Sequence, residues 1–170
     1  MRIHQLSGQR VLLTAAAFVT LAPLAPAFAQ RAEPVPHLMV TTFSGSEPGL
    51  GVQVAEAIRS RLSRDVDPKR LYVIPQKDVH ATLTASGYST TESLQPNDAR
   101  ALANLLRADE YIEGIVTKTP TGVKLESRLV LARDNTIQQP LPPAEGKIDQ
   151  AAQSVSKAYQ AARAQLEILR

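Results

Sequence analysis

The sequence predicts an α/β domain: a mixed β-sheet of four to five strands with helices packed on it, in the order β-α-β-α-α-β-β-(β)-α. Three observations carry this. Short β-rich runs alternate with stretches whose apolar residues fall at helical spacing. Residues 110–132 hold two strand patterns in succession, parted by Lys118-Thr119-Pro120-Thr121, which reads as a hairpin. A length of 170 residues with 44% hydrophobic and 21% charged side chains describes a globular chain, neither collagen-like, disordered nor polytopic. The chain has no cysteine, which excludes a disulfide framework, a thiol nucleophile, a Cys zinc site and a lipid-modified N-terminal cysteine.

The chain opens with an address. Arg2 and Arg10 stand without an acid in the first ten residues, residues 11–24 are almost continuously apolar, and Ala27-Phe28-Ala29 places small residues before Gln30. This is the pattern of a secretory signal peptide over residues 1–29, cleaved between Ala29 and Gln30. A retained anchor needs about 20 apolar residues, and Thr14, Thr20, Pro23 and Pro26 interrupt this run. Cleavage takes Arg2 and Arg10 away, so 170 residues become 141 and the net charge falls from +3 to +1. A near-neutral chain gives no electrostatic reason to bind nucleic acid. The expectation is an exported, periplasmic protein with no integral membrane span after cleavage. A domain of this size buries about two thirds of its unfolded surface, enough for one core.

Along the mature chain, residues 30–36 carry Pro34 and Pro36 and read as an extended lead-in. Residues 37–43 are a first strand. From Pro48 to Arg64 the positions Leu50, Val54, Ala57, Ile58 and Leu62 form one helical face, with Glu56, Arg59, Ser60 and Ser63 opposite. Residues 71–74 (Leu-Tyr-Val-Ile) are a short strand whose lack of alternation predicts burial on both faces. Residues 76–85 form a helix with a glycine stop at Gly87, and 86–97 a Ser/Thr-rich loop. Pro96-Asn97-Asp98 reads as a capping signature for a helix ending near Arg107. Residues 110–117 and 122–132 make the hairpin, with Val123, Leu125, Leu129 and Leu131 facing the core and Lys124, Glu126 and Arg128 facing water. Residues 136–141 can add an edge strand before Pro142 and Pro143, which are expected to end pairing. Residues 37–146 therefore form the α/β domain. Residues 147–170 form one long helix, docked on that domain or leading to a further, helical-repeat module.

Chemistry is hard to find. His37 and His80 are the two histidines after the leader, too few for a zinc site. Asp78 and His80 stand two apart on a helix and point apart. Glu113 and Glu110 lie on opposite faces of a strand, so Asp109, Glu110 and Glu113 read as solvated strand ends or cross-strand partners for Lys124 and Arg128. Gly49-Leu50-Gly51 is a weak phosphate signal better explained as a turn. Arg59, Arg61, Arg64, Lys69 and Arg70 read as a solvated helix end. No catalytic, metal-binding or cofactor-binding residue is assigned, and no cofactor is expected. The final helix is alanine-rich, and its seam through Ala151, Ala158, Ala162, Leu166 and Leu169 is the candidate partner-contact face.

Thr42-Phe43, the helix from Leu50 to Leu62, the Leu71-Tyr-Val-Ile strand, the Ala99–Ala103 helix and the run Ala108-Asp109-Glu110-Tyr111-Ile112-Glu113-Gly114-Ile115-Val116 together resemble the TolB N-terminal-like family, whose wider group includes FlgO-like, CsgG-like and LpoB-like envelope proteins. The similarity covers most of residues 38–132. Thr42 stands where relatives usually have proline, and Glu110 interrupts the usual Ala-Asp-Tyr. The resemblance implies a non-enzymatic periplasmic domain acting through protein-protein interaction with envelope proteins, in cell-envelope assembly or maintenance. The alternative is a small-ligand-binding or hydrolytic periplasmic domain, which requires a pocket gathering His80, Asp78, Tyr88 or Glu113.

Overall fold

A long hairpin organises the sheet. The computed structural model describes residues 34–168 apart from Pro48 and Asn135, with side chains up to residue 165. The expected signal peptide over residues 1–29 and its cleavage residues Ala27, Ala29 and Gln30 lie outside the described residues. The elements are β1 (His37–Val40), β2 (Ser44–Gly45), α1 (Leu50–Asp65), β3 (Tyr72–Val73), α2 (Gln76–Ala85), α3 (Pro96–Leu105), β4 (Glu110–Thr119), β5 (Gly122–Leu131), β6 (Gln138–Pro140), β7 (Ala144–Gly146) and α4 (Ile148–Ile168). The order across the sheet is β3-β1-β4-β5-β6, with β2 continuing along β4 and β7 along β5. β1 runs parallel to β3 and β4, and β5 is antiparallel to β4, β6 and β7. The expected α/β class with a mixed sheet is the observed one.

Alternation along the hairpin separates two cores. Ile112 and Val116 of β4 and Val123, Leu125 and Leu129 of β5 join α1 and α4 residues such as Val54, Ile58, Leu62, Val155 and Tyr159. The opposite face carries Tyr111, Val130 and Met39, packed under Val79 and Leu83 of α2 and Ala99, Leu102 and Ala103 of α3. The sheet thus has helices on both sides, as crossover connections between parallel strands require. α4 docks on its own domain: Ala151, Ala152, Val155, Tyr159 and Ala162 are buried in the first core, and Ala158 packs beside it.

Several local expectations change. β3 is an edge strand, so Tyr72 is 42% exposed rather than buried, and its ring lies 4.9 Å from that of His37. The second face of the hairpin is wet only towards its turn, because α2 and α3 cover Tyr111 and Val130. Pro142 and Pro143 occupy a bend, and pairing resumes in β7, where Ala144 faces Leu125. Pro96 is the first residue of α3 with Gln95 as its N-cap, and no side chain caps it. Asp98 instead accepts the Tyr88 hydroxyl at 2.8 Å, a bond that raises the Tyr88 pKa above its ordinary value.

Two helix ends share one device. After α2, Gly87 N–H donates to Thr84 O and Tyr88 N–H to Leu83 O, with Gly87 at φ 77°. This is a Schellman closure with the expected glycine. After α3, Arg107 and Ala108 repeat it onto Asn104 and Ala103, but with Arg107 at φ 54°. Gly51 answers a different need. A Cβ there would lie 1.9 Å from the Phe43 carbonyl oxygen, so only glycine lets α1 pass this close to the backbone.

Two outcomes follow for urea unfolding. Gly51→Ala should cost about 2–3 kcal/mol, because the contact is with backbone that cannot step aside. Arg107→Gly should stabilise by about 0.5–1 kcal/mol through relief of the left-handed conformation.

Candidate functional site

Charged groups inside the fold come first, because they decide which surfaces are left for a partner. Glu110, expected at a solvated strand end, is 1% exposed. It heads β4, and its carboxylate accepts the Tyr159 hydroxyl at 2.7 Å and pairs with Arg163 Nε at 3.2 Å. Arg163 also donates to Arg70 O at 3.2 Å. Tyr159 and Arg163 stand four apart on α4 and so meet one target. The sequence signal was an arginine placed on an otherwise apolar helix seam.

Arg59 is a second correction: it is 5% exposed, not solvated. Backbone donors Tyr72 N–H and Ile74 N–H reach Pro36 O and Leu38 O at 2.9 Å. The next donor in that series would be Gln76 N–H, but Gln76 is already the first residue of α2 and the ladder does not continue. Arg59 Nη2 supplies it, donating to Val40 O at 2.8 Å, while Nη1 pairs with Glu56 at 2.5 Å. Burial pulls the guanidinium pKa below its ordinary value, and Glu56 opposes that shift. Asp65 ties α1 to α4 by accepting from Arg61 and from Ser156 at 2.8 Å each. Those two bonds, Arg61 first, hold its carboxyl below the usual carboxylate range.

The open surface arises from unequal lengths. β4 and β5 have ten residues each, about 33 Å of strand. On one face α1 and α4, with 16 and 21 residues, span about 24 and 31 Å. On the other, α2 and α3 have ten residues each, about 15 Å. They cover roughly half of that face. The remainder is a cleft of about 600 Å³. Glu113, Ile115, Glu126 and Arg128 form its floor, Leu94 and Pro96 close it towards α3, and Pro140 and Pro143 border it beyond β5. Glu113 lies opposite Arg128 in register and pairs with it at 2.5 Å, as the strand pattern suggested. Glu126 pairs with Lys124 at 3.0 Å. Ile115 is 54% exposed between them. Sequence reasoning missed Ile115, whose signal was an apolar residue on the polar face of its strand.

The cleft gathers Glu113 but not His80, Asp78 or Tyr88. His80 faces Gln76 across 3.3 Å on α2, and Tyr88 is engaged with Asp98. His37 is held at the start of β1 by Asp109, which accepts its backbone N–H at 2.9 Å. Of the seam on α4, Ala151 and Ala162 are buried within the domain and Ala158 is partly covered. The Leu166 side chain and Leu169 lie outside the described residues. Among the described residues, no three histidines or carboxylates come together as a metal site, and no helix is long and apolar enough to cross a membrane.

No family model matches the chain, and no curated protein matches it. Solved structures do. The NMR structure of LpoB from Escherichia coli is similar over 85% of this chain and 80% of its own, at 13% identity and a TM-score of 0.52. TolB from Acinetobacter baumannii matches 76% of this chain and 29% of its own, at 15% identity and TM-score 0.46. A lipoprotein from Neisseria meningitidis matches 77% and 96%, at 17% identity and TM-score 0.45. The LpoB likeness establishes an LpoB-like fold.

Removing one partner of the buried pair should be worse than removing both. Arg163→Leu is expected to cost about 3 kcal/mol or more in urea unfolding, and the double variant Glu110→Leu, Arg163→Leu distinctly less. Additive losses would contradict the pairing. Asp65 has a depressed folded pKa, so its contribution is present above about pH 4 and is lost as pH falls through the folded value. Asp65→Asn should flatten the acid limb of a plot of urea midpoint against pH.

Proposed function

We propose that this chain is an exported domain of the bacterial cell envelope that works by binding another protein through the cleft beyond α3, and that it catalyses no reaction. The single observation carrying this is the half-covered sheet face with Ile115 exposed at its centre. The flanking carboxylates Glu113 and Glu126 are already neutralised by Arg128 and Lys124, so a partner meets an apolar centre with a compensated polar rim. That is the anatomy of a non-obligate protein interface. Proline-bordered walls hold the shape before the partner arrives, which lowers the entropy cost of binding. The LpoB-like fold supports an envelope role by analogy of architecture. Residues 1–29 act as the export signal and are removed before Gln30, and the domain continues through α4.

The test is made in the native host. A photo-crosslinking residue placed at position 115 should trap a discrete partner, and the mature chain should begin at Gln30 by mass spectrometry. Ile115→Asp should lose that partner with the thermal midpoint unchanged, because the side chain is exposed. An unprocessed chain, or partner capture untouched by Ile115→Asp, would overturn the proposal.

A further inference from the structure

The cleft beyond α3 restricts the kind of segment that can fill it. Its floor consists of strands paired on both sides: β4 lies between β2 and β5, and β5 between β4 and β7. Strand addition needs a free sheet edge, and an extended segment finds none on this floor. A partner meets side chains alone.

The shape of the space suits a helix. α3 leads directly into β4, so the two run in opposite directions, and Pro96, the first residue of α3, borders the cleft. The uncovered part of the sheet therefore lies in line with α3. About 33 Å of strand less about 15 Å under α3 leaves about 18 Å, the length of about twelve helical residues. This face already accepts helices on such a pattern, since Ala99, Leu102 and Ala103 of α3, at i, i+3 and i+4, pack with Tyr111 and Val130.

Charge selects among helices. The rungs in register are Glu113 with Arg128, Ile115 with Glu126, and Lys124 with Glu145, and residues of one rung share a face. Three carboxylates thus share two cations. Arg128 is engaged by Glu113, and Lys124 serves both Glu126 and Glu145. The Lys124 and Glu126 side chains are 41% and 60% exposed, a setting in which an ion pair holds its members weakly. Glu126 is therefore open to a further cation, directly beside the exposed Ile115. We infer that the occupant of the cleft is a basic amphipathic helix of a partner protein, about three turns long, that covers Ile115 with an apolar residue and brings a lysine or arginine to Glu126. This rests on the protein-binding reading of the cleft and narrows it.

The test places photo-crosslinking residues at positions 115 and 119 of the full chain in its native host and maps the adducts on the partner by mass spectrometry. The two positions share one face of β4 about 13 Å apart, a distance that a helix covers in about nine residues and an extended segment in about four. Adducts about nine residues apart in one net-positive segment are expected. Glu126→Lys should lower the adduct yield at position 115 roughly five-fold, with the thermal midpoint little changed because the side chain is exposed. Absence of any adduct would sink the protein-binding reading and this inference with it. Adducts about four residues apart, adducts in an acidic segment, or a yield indifferent to Glu126→Lys would overturn the helix and leave the protein-binding reading standing.

Discussion

The Glu110 carboxylate sits at the point where the two ends of the domain meet. It begins the central strand β4, and its partners Tyr159 and Arg163 come from α4, 49 residues and more further along the chain. A carboxylate buried to this depth is tolerated only when its charge is matched and its lone pairs are engaged. Both conditions come from one helix, so the interaction fixes the rotation of α4 about its axis as well as its position. With that rotation set, Ala151, Val155 and Ala162 fall on the sheet and α1. Ser156 then reaches Asp65, and Arg163 reaches the Arg70 carbonyl. The apolar seam alone would permit small rotations; the polar contacts select one.

Element lengths account for the open face. The crossovers that join parallel strands place helices on both sides of the sheet, but nothing requires the two sides to be equally covered. Here the two long helices, first and last in the chain, pack side by side on one face and the ten-residue helices share the other. A hairpin about twice as long as α3 must then project beyond it. The projecting half carries the cross-strand pair Glu113–Arg128 and, two residues apart on β5, the pair Lys124–Glu126, and each neutralises its neighbour locally. Ile115 remains apolar in that setting, although solubility alone would favour a polar residue there.

Periodicity made most of the elements legible. α2 spans the residues its Val79 and Leu83 spacing indicates, and β5 follows its alternation from Gly122 to Leu131. Short strands were less accessible because pairing, not pattern, creates them: β7 exists because Ala144 meets Leu125 after a proline bend, and two consecutive prolines argue locally for the opposite. The charged residues were the least legible. Arg59 lies on the helical stripe with Glu56 and Ser60, and no sequence period distinguishes a solvated arginine from one that completes a strand. Glu110 reads locally as one more carboxylate at a strand end, although it is buried. Only the tertiary structure shows what it answers.

Arg59 illustrates how a terminated strand can be completed from another element. β3 ends at Val73 and the chain turns into α2 at Pro75, so the Val40 carbonyl on β1 lies beyond the last backbone donor, Ile74 N–H. A buried carbonyl without a partner is unfavourable, and lengthening β3 would displace α2 from the second face. A guanidinium reaching across from α1 resolves the conflict, because it offers several donors in a fixed planar geometry and needs only some of them for the repair. A lysine offers its donors from a single nitrogen, so it lacks the rigid planar fork with which Arg59 reaches the Val40 carbonyl and the Glu56 carboxylate at once.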